Sequence, residues 1–324
     1  MRAIDTIALH AETCRAWELP GTGECWLINY SENRTFGITS DAGQYVLRVH
    51  RPGYQSLDNI NSELAWLEAL GRDTELRVPV PIAGLDGAYI QHLPFGSGTA
   101  ACVLFRHIPG HEPQLDTGLV PHFRTLGRYA ATLHRHAATW EKPASFQRHE
   151  WSAEQILDPD GLWGDWRRSP DVDNTIRPVL DRVDAQLRSD IAAYGKGPEQ
   201  FGLIHADMRL GNLLIDGDDL ALIDFDDSGF CWFAYDFAAA VSFHEDSALL
   251  PELREAWFEG YLPVRTLQPE DIAAMDCMLI LRRMALLAWI GSHAETELAQ
   301  KHRPGFAEGT AMLAENYLAN RRPL

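Results

Sequence analysis

The chain has 324 residues, 46% of them hydrophobic and 10% aromatic, with a formal net charge of −18. That length supplies a sizeable core, and the apolar content excludes a disordered chain. The acid excess excludes tight binding to nucleic acid or anionic lipid, and no apolar run spans a membrane: the best stretch, 273–291, is cut by Asp276, Arg282 and Arg283.

Taken in chain order, the N-terminus (Met1-Arg2-Ala3-Ile4-Asp5) lacks a signal peptide's apolar core. Cys14, Cys25, Cys102, Cys231 and Cys277 are too widely spaced for a disulfide framework or zinc ribbon. Both features predict a cytoplasmic protein. Residues 24–50 alternate polar with apolar and β-branched side chains, which predicts three antiparallel strands around Trp26-Leu27-Ile28, Thr35-Phe36-Gly37-Ile38 and Tyr45-Val46-Leu47-Arg48-Val49. Ile60, Leu64, Leu67 and Leu70 follow helical spacing, and Gly71 suits the position after the helix end. Two more strands are predicted near 88–91 and 101–105, joined by a turn at Gly96-Ser97-Gly98, and Pro109-Gly110 closes this part. Helical patterns then cover 120–139, 174–194, 247–261, 269–294 and 306–320, with a short β-rich insert at 213–215 and 220–223. The plan is α+β: a small antiparallel-sheet N-lobe over 1–105 and a larger, mainly helical C-lobe over 106–324.

Charge is not spread evenly over this plan. Residues 205–259 hold 13 acids against two basic residues, Arg209 and Arg254, whereas the only lysines in the chain are Lys142, Lys196 and Lys301. Overlapping the acidic stretch is a candidate catalytic loop at 204–212, Ile204-His205-Ala206-Asp207-Met208-Arg209-Leu210-Gly211-Asn212, followed by a candidate metal loop at 223–227, Ile223-Asp224-Phe225-Asp226-Asp227. A carboxylate and an amide oxygen on one short loop, with a second carboxylate closing an apolar strand (Leu220–Ile223), suit magnesium bound with a nucleotide. The remaining carboxylate can orient a hydroxyl and accept its proton, and phosphoryl transfer asks for little more than positioning and charge neutralisation.

The H-x-D-x-x-x-x-N spacing with its following aspartate resembles the aminoglycoside phosphotransferase / choline kinase superfamily, over roughly residues 20–295. That superfamily has a protein-kinase-like bilobal fold and includes homoserine kinase type II, hydroxylysine kinase and stress-response kinase A relatives. The resemblance implies that Asp207 is the catalytic base, with His205 orienting the loop and Arg209 acting electrostatically. It implies that Asn212 and Asp224 bind Mg²⁺, with Asp226 as an accessory ligand, and that Asp236 braces the catalytic loop. The family's strand lysine is missing. Arg48 stands in its place, with Glu63 as its partner, an exchange that changes geometry while keeping the charge. Ser31-Glu32-Asn33-Arg34-Thr35-Phe36 resembles the phosphate-covering loop, with Asn33 or Thr35 at the triphosphate. Leu104-Phe105-Arg106-His107-Ile108 is the expected adenine hinge, which places Phe105 and His107 at the nucleotide.

His134-Arg135-His136 reads as a helix end that favours positive charge, and His107 with His111 is broken as a metal pair by Pro109-Gly110. Acceptor-binding candidates are Trp163, Asp165 and Trp166, Phe243 to Asp246, and Arg282, Arg283, Trp289 and His293. The reading is an ATP- and Mg²⁺-dependent phosphotransferase acting on a small-molecule hydroxyl (an amino acid, amino alcohol or aminoglycoside-like acceptor), as monomer or homodimer, with no nucleic-acid or membrane partner. A Ser/Thr protein kinase of the stress-response type is the alternative, disfavoured by the lack of D-F-G and A-P-E. A catalytically weak pseudokinase is another, motivated by Arg48.

Overall fold

The alternation between residues 24 and 50 forms β1 (Cys25–Tyr30), β2 (Arg34–Ser40) and β3 (Gly43–Val49), paired antiparallel. The computed structural model describes residues 4–30, 33–116 and 118–321. Phe36 and Ile38 on β2 and Tyr45, Leu47 and Val49 on β3 share one face, as period-two side chains must, and are buried with Leu9, Trp17, Cys102 and Leu104. β4 (Pro81–Ile82), β5 (Ile90–Phe95) and β6 (Gly98–Arg106) complete the sheet in the order β1-β2-β3-β6-β4, with β5 also pairing β6. Gly37 lies opposite Trp26, and a Cβ there would stand 2.2 Å from the indole, so this strand position requires glycine.

Two helices flank the sheet in sequence. α1 (Thr6–Ala16), capped by Asp5, carries too weak an apolar stripe to be foreseen. α2 (Leu57–Asp73) starts at the Ser56 cap and runs two residues past Gly71, a correction to its expected end. Gly71 is solvent-exposed, where glycine costs a helix only about 1 kcal/mol. The stop is Thr74, whose hydroxyl donates to the Leu70 carbonyl at 2.7 Å.

The remaining elements are mostly helical: α3 (Leu119–Thr139), α4 (Ala153–Leu157), α5 (Arg177–Tyr194), α6 (Tyr235–Ala240), α7 (Leu250–Tyr261), α8 (Pro269–Ser292), α9 (Glu297–His302) and α10 (Phe306–Asn320). α8 opens on Pro269 inside a capping box formed by Gln268 and Asp271. β7 (Phe201–Ile204) pairs antiparallel with β10 (Gly229–Trp232), and β8 (Leu213–Asp216) with β9 (Asp219–Leu222). The chain divides into two compact units. The first is Met1–Gly110 with Lys142–Arg148 and Ala221–Asp226; the second is His111–Glu141, His149–Leu220 and Asp227–Leu324. Among the described residues no helix is long and apolar enough to cross a membrane.

Candidate active site

In the second unit, β7 delivers the chain into the loop that holds His205, Asp207 and Arg209, and a single 3-10 turn at Leu210–Asn212 closes it. Ala206 sits at φ 68°, a left-handed conformation that costs a side-chain-bearing residue about 1–2 kcal/mol. Asp236 holds it there: its carboxylate accepts from the Ala206 N–H at 2.8 Å and from the His205 N–H at 3.3 Å. His134 on α3 contacts the same carboxylate at 2.9 Å through Nε2, while Nδ1 lies 2.9 Å from the Tyr261 hydroxyl. An ionised carboxylate only accepts, so Nε2 carries the proton and Nδ1 accepts from Tyr261. Burial holds the His134 pKa below its ordinary value despite Asp236, and the ring is neutral. The reading of His134 as part of a helix end favouring positive charge is thus corrected: the side chain is fully buried and braces the 205–212 loop through Asp236.

Asp207 is 8% exposed, and both its oxygens are held. Arg282 donates to Oδ1; Asn212 Nδ2 donates to Oδ2 at 2.7 Å, and Arg209 Nε does so at 3.3 Å. Burial would raise this carboxyl's pKa, but Arg282, Arg209 and His205 outweigh it and hold it below the usual carboxylate value. His205 is fully buried, and its Nδ1 accepts from the Asp207 N–H at 3.2 Å, which makes it a loop anchor in this arrangement.

The first unit gathers a second constellation. Arg48 is buried and donates through Nη2 to Glu63 at 2.6 Å and through Nε to His50 at 3.3 Å. Its Nη1 lies 3.7 Å from Asp224, and the guanidinium sits 5.2 Å from the Phe105 ring centroid. Burial opposes the charge on Arg48, yet Glu63, Asp226 and Asp224 together hold its pKa above the ordinary value. His50, buried and facing Arg48 and Arg148, is pushed down to about 2 and stays neutral. Asn33 Nδ2 donates to Asp226 Oδ2 at 2.9 Å, and its Oδ1 accepts from the Arg51 N–H at 3.1 Å. The Asp226 carbonyl accepts from Gln55 and Arg148.

Several expectations need correction. β9 ends at Leu222, two residues before Asp224, which is 45% exposed and takes φ 64° in a left-handed turn. Phe225, packed on Trp66 at 5.6 Å between centroids, anchors that turn. Thr35 lies inside β2, cross-strand from Arg48, and not in a turn. Ser31 and Glu32 lie outside the described residues. The backbone N–H groups of Arg106 and His107 donate to Val80 and Gln44, so neither is open to an adenine in this arrangement. Trp166 is wholly buried with its indole N–H on Asp184. Arg283 is buried and ion-paired to Glu245 at 2.5 Å. Neither Trp166 nor Arg283 is placed to receive an acceptor. Sequence reasoning missed His50 and Arg148, and the bracing role of His134, since isolated polar residues in apolar patterns carry no local signal of their partners. Among the described residues no three His, Cys, Asp or Glu side chains form a metal cage.

The fold, with its buried and doubly held carboxylate on a strained loop, is that of a phosphotransferase of protein-kinase-like fold. The sequence model of the phosphotransferase enzyme family matches residues 29–276, and the chain belongs to that family. It is similar to a solved microcompartment-associated aminopropanol kinase, with 35% identity and a TM-score of 0.88 over 98% of this chain and 100% of that one. It is 25% identical to amicoumacin kinase of Bacillus subtilis over 310 residues, covering 89% of this chain and 88% of the relative. It is 28% identical to a homoserine kinase of Allorhizobium ampelinum over 257 residues, covering 76% and 73%.

Proposed function

We propose that this protein is an ATP- and Mg²⁺-dependent kinase that phosphorylates the hydroxyl of a small amine-bearing metabolite, with an amino alcohol as the first candidate. One observation carries the reading: Asp207 is buried and fixed on both oxygens at the end of a loop braced by Asp236. In this role Asp207 aligns the acceptor hydroxyl and receives its proton as the acceptor oxygen bonds to the γ-phosphorus and the bond to ADP breaks. Arg48, oriented by Glu63, and Arg209 supply fixed positive charge for phosphate oxygens. Asn33 and Phe105, which lies beside the Arg48 guanidinium, are the nucleotide-facing residues of this reading. Asn212, Asp224 and Asp226 present hard oxygen donors, the chemistry a magnesium ion prefers. When bound, that ion neutralises phosphate charge. The relatives named aminopropanol kinase, amicoumacin kinase and homoserine kinase support a metabolite acceptor over a protein one.

The test is ADP release by the purified protein with ATP, Mg²⁺ and, in turn, aminopropanol, homoserine and choline. Asp207→Asn should lower kcat about 10²–10⁴-fold, the usual worth of a positioned acid–base group. Turnover that survives in this variant, or that no small hydroxyl compound stimulates, would sink the reading.

A further inference from the structure

Arg282 stands in the middle of α8 and is 1% exposed. Each of its guanidinium nitrogens is bonded within the second unit: Nη2 to Asp207 Oδ1, Nη1 to the Ala206 carbonyl at 3.3 Å, and Nε to Ser242 Oγ at 3.0 Å. The Trp163 and Tyr235 ring centroids lie 5.1 and 5.8 Å from its central carbon and shield it from water. Such a group is not poised to meet an acceptor, the role its sequence position invited. Its contacts instead converge on two consecutive loop residues. One is Ala206, which holds the strained turn, and the other is Asp207.

The bonding around Asp207 is divided in a telling way. Oδ2 is shared by Asn212 and Arg209, which belong to the same loop and move with it. Oδ1 is held by Arg282, 75 residues away on a long helix. Among the described residues this contact ties the carboxylate to a rigid element outside its own loop, and a planar fork fixes orientation as well as distance. We infer that Arg282 is a positioning residue for phosphoryl transfer, which from α8 fixes the rotamer of Asp207 and the turn at Ala206. The inference rests on the reading of Asp207 as the group that receives the acceptor's proton. A carboxylate so held is a weak base, so its contribution is alignment, with the proton moving only as the new P–O bond forms.

Arg282→Met and Arg282→Lys test this in the full chain. ADP release is followed with aminopropanol, or with water alone as acceptor. In Arg282→Met kcat should fall about 10²-fold with KM for ATP nearly unchanged, as a small misplacement at the reacting centre produces. Arg282→Lys keeps the charge without the fork: kcat should still drop about tenfold, with KM for ATP and Tm near wild type. The lysine variant decides the matter if the methionine variant does not fold. An Arg282→Met or Arg282→Lys protein with wild-type turnover overturns the inference, as does a folded variant whose loss lies in KM for ATP and not in kcat. Asp207→Asn with retained turnover would instead overturn the reading of Asp207, which separates the two failures.

Discussion

Arg48 shows how much chemistry one side chain carries at the residue scale. Its guanidinium serves Glu63, His50 and Asp224 at once, from three separate nitrogens. A lysine can keep Glu63 but leaves His50 Nε2 buried without its donor. Arg48→Lys should therefore destabilise the protein by about 1–3 kcal/mol, the cost of an unsatisfied buried polar group, and raise KM for ATP. Chemical denaturation and steady-state kinetics check both, and an unchanged midpoint would show that the cradle is not specific to arginine. His50 also sets a pH dependence. Because burial, Arg48 and Arg148 push its pKa down to about 2, the unfolded chain takes up a proton below its ordinary value of about 6.5 before the folded chain does. Stability from His50 is complete above that pH and is lost progressively as pH falls toward the folded value. His50→Gln, which retains an acceptor for Arg48, should flatten the fall in Tm between about pH 6.5 and 4. A slope equal to wild type would refute this.

At the scale of elements, the crossing of α3 and α7 backs the loop that carries Asp207. Gly127 on α3 faces the Trp257 carbonyl and Gly260 on α7 faces the Arg124 carbonyl, where added Cβ atoms would lie 2.2 and 1.8 Å away. Only glycine allows this approach, and the same two helices carry His134 and Tyr261 to Asp236. Gly260→Ala should cost about 1–3 kcal/mol or more through overpacking, lower Tm and reduce kcat by loosening the strut; a Tm within error of wild type would show that the helices part freely. Element-level legibility was uneven for physical reasons. The long amphipathic helices and the three-strand meander announce themselves by period, because one face of each is buried. α1, α6 and the pair β7 and β10 did not. α1 buries a thin stripe, while α6 and β10 lie in a stretch buried on nearly every side, where periodicity disappears.

At the scale of the whole molecule, the net charge of −18 is concentrated over residues 205–259, which hold the proposed catalytic and metal residues, in a chain that belongs to a family of phosphotransferases. A ligand that binds only the folded state stabilises it by about 2.7 kcal/mol at a hundredfold excess over Kd. ATP with Mg²⁺ should therefore raise Tm clearly, and EDTA should remove much of the rise. Asp224→Asn should erase the magnesium-dependent part while leaving the unliganded Tm nearly unchanged, since Asp224 is 45% exposed. A full shift in that variant, read by differential scanning fluorimetry, would exclude Asp224 from the metal site. The sequence by itself determined the class of the molecule: strand alternation, helical periods and the spacing from His205 through Asp207 and Asn212 to Asp224 are local patterns, visible wherever neighbours along the chain act together. Tertiary structure alone decided which groups tune that chemistry. Arg282 reaches Asp207 across 75 residues, and His134 reaches Asp236 across 102. Pairings of that range leave no trace in local spacing, because they exist only once separate helices have packed and excluded the water between them.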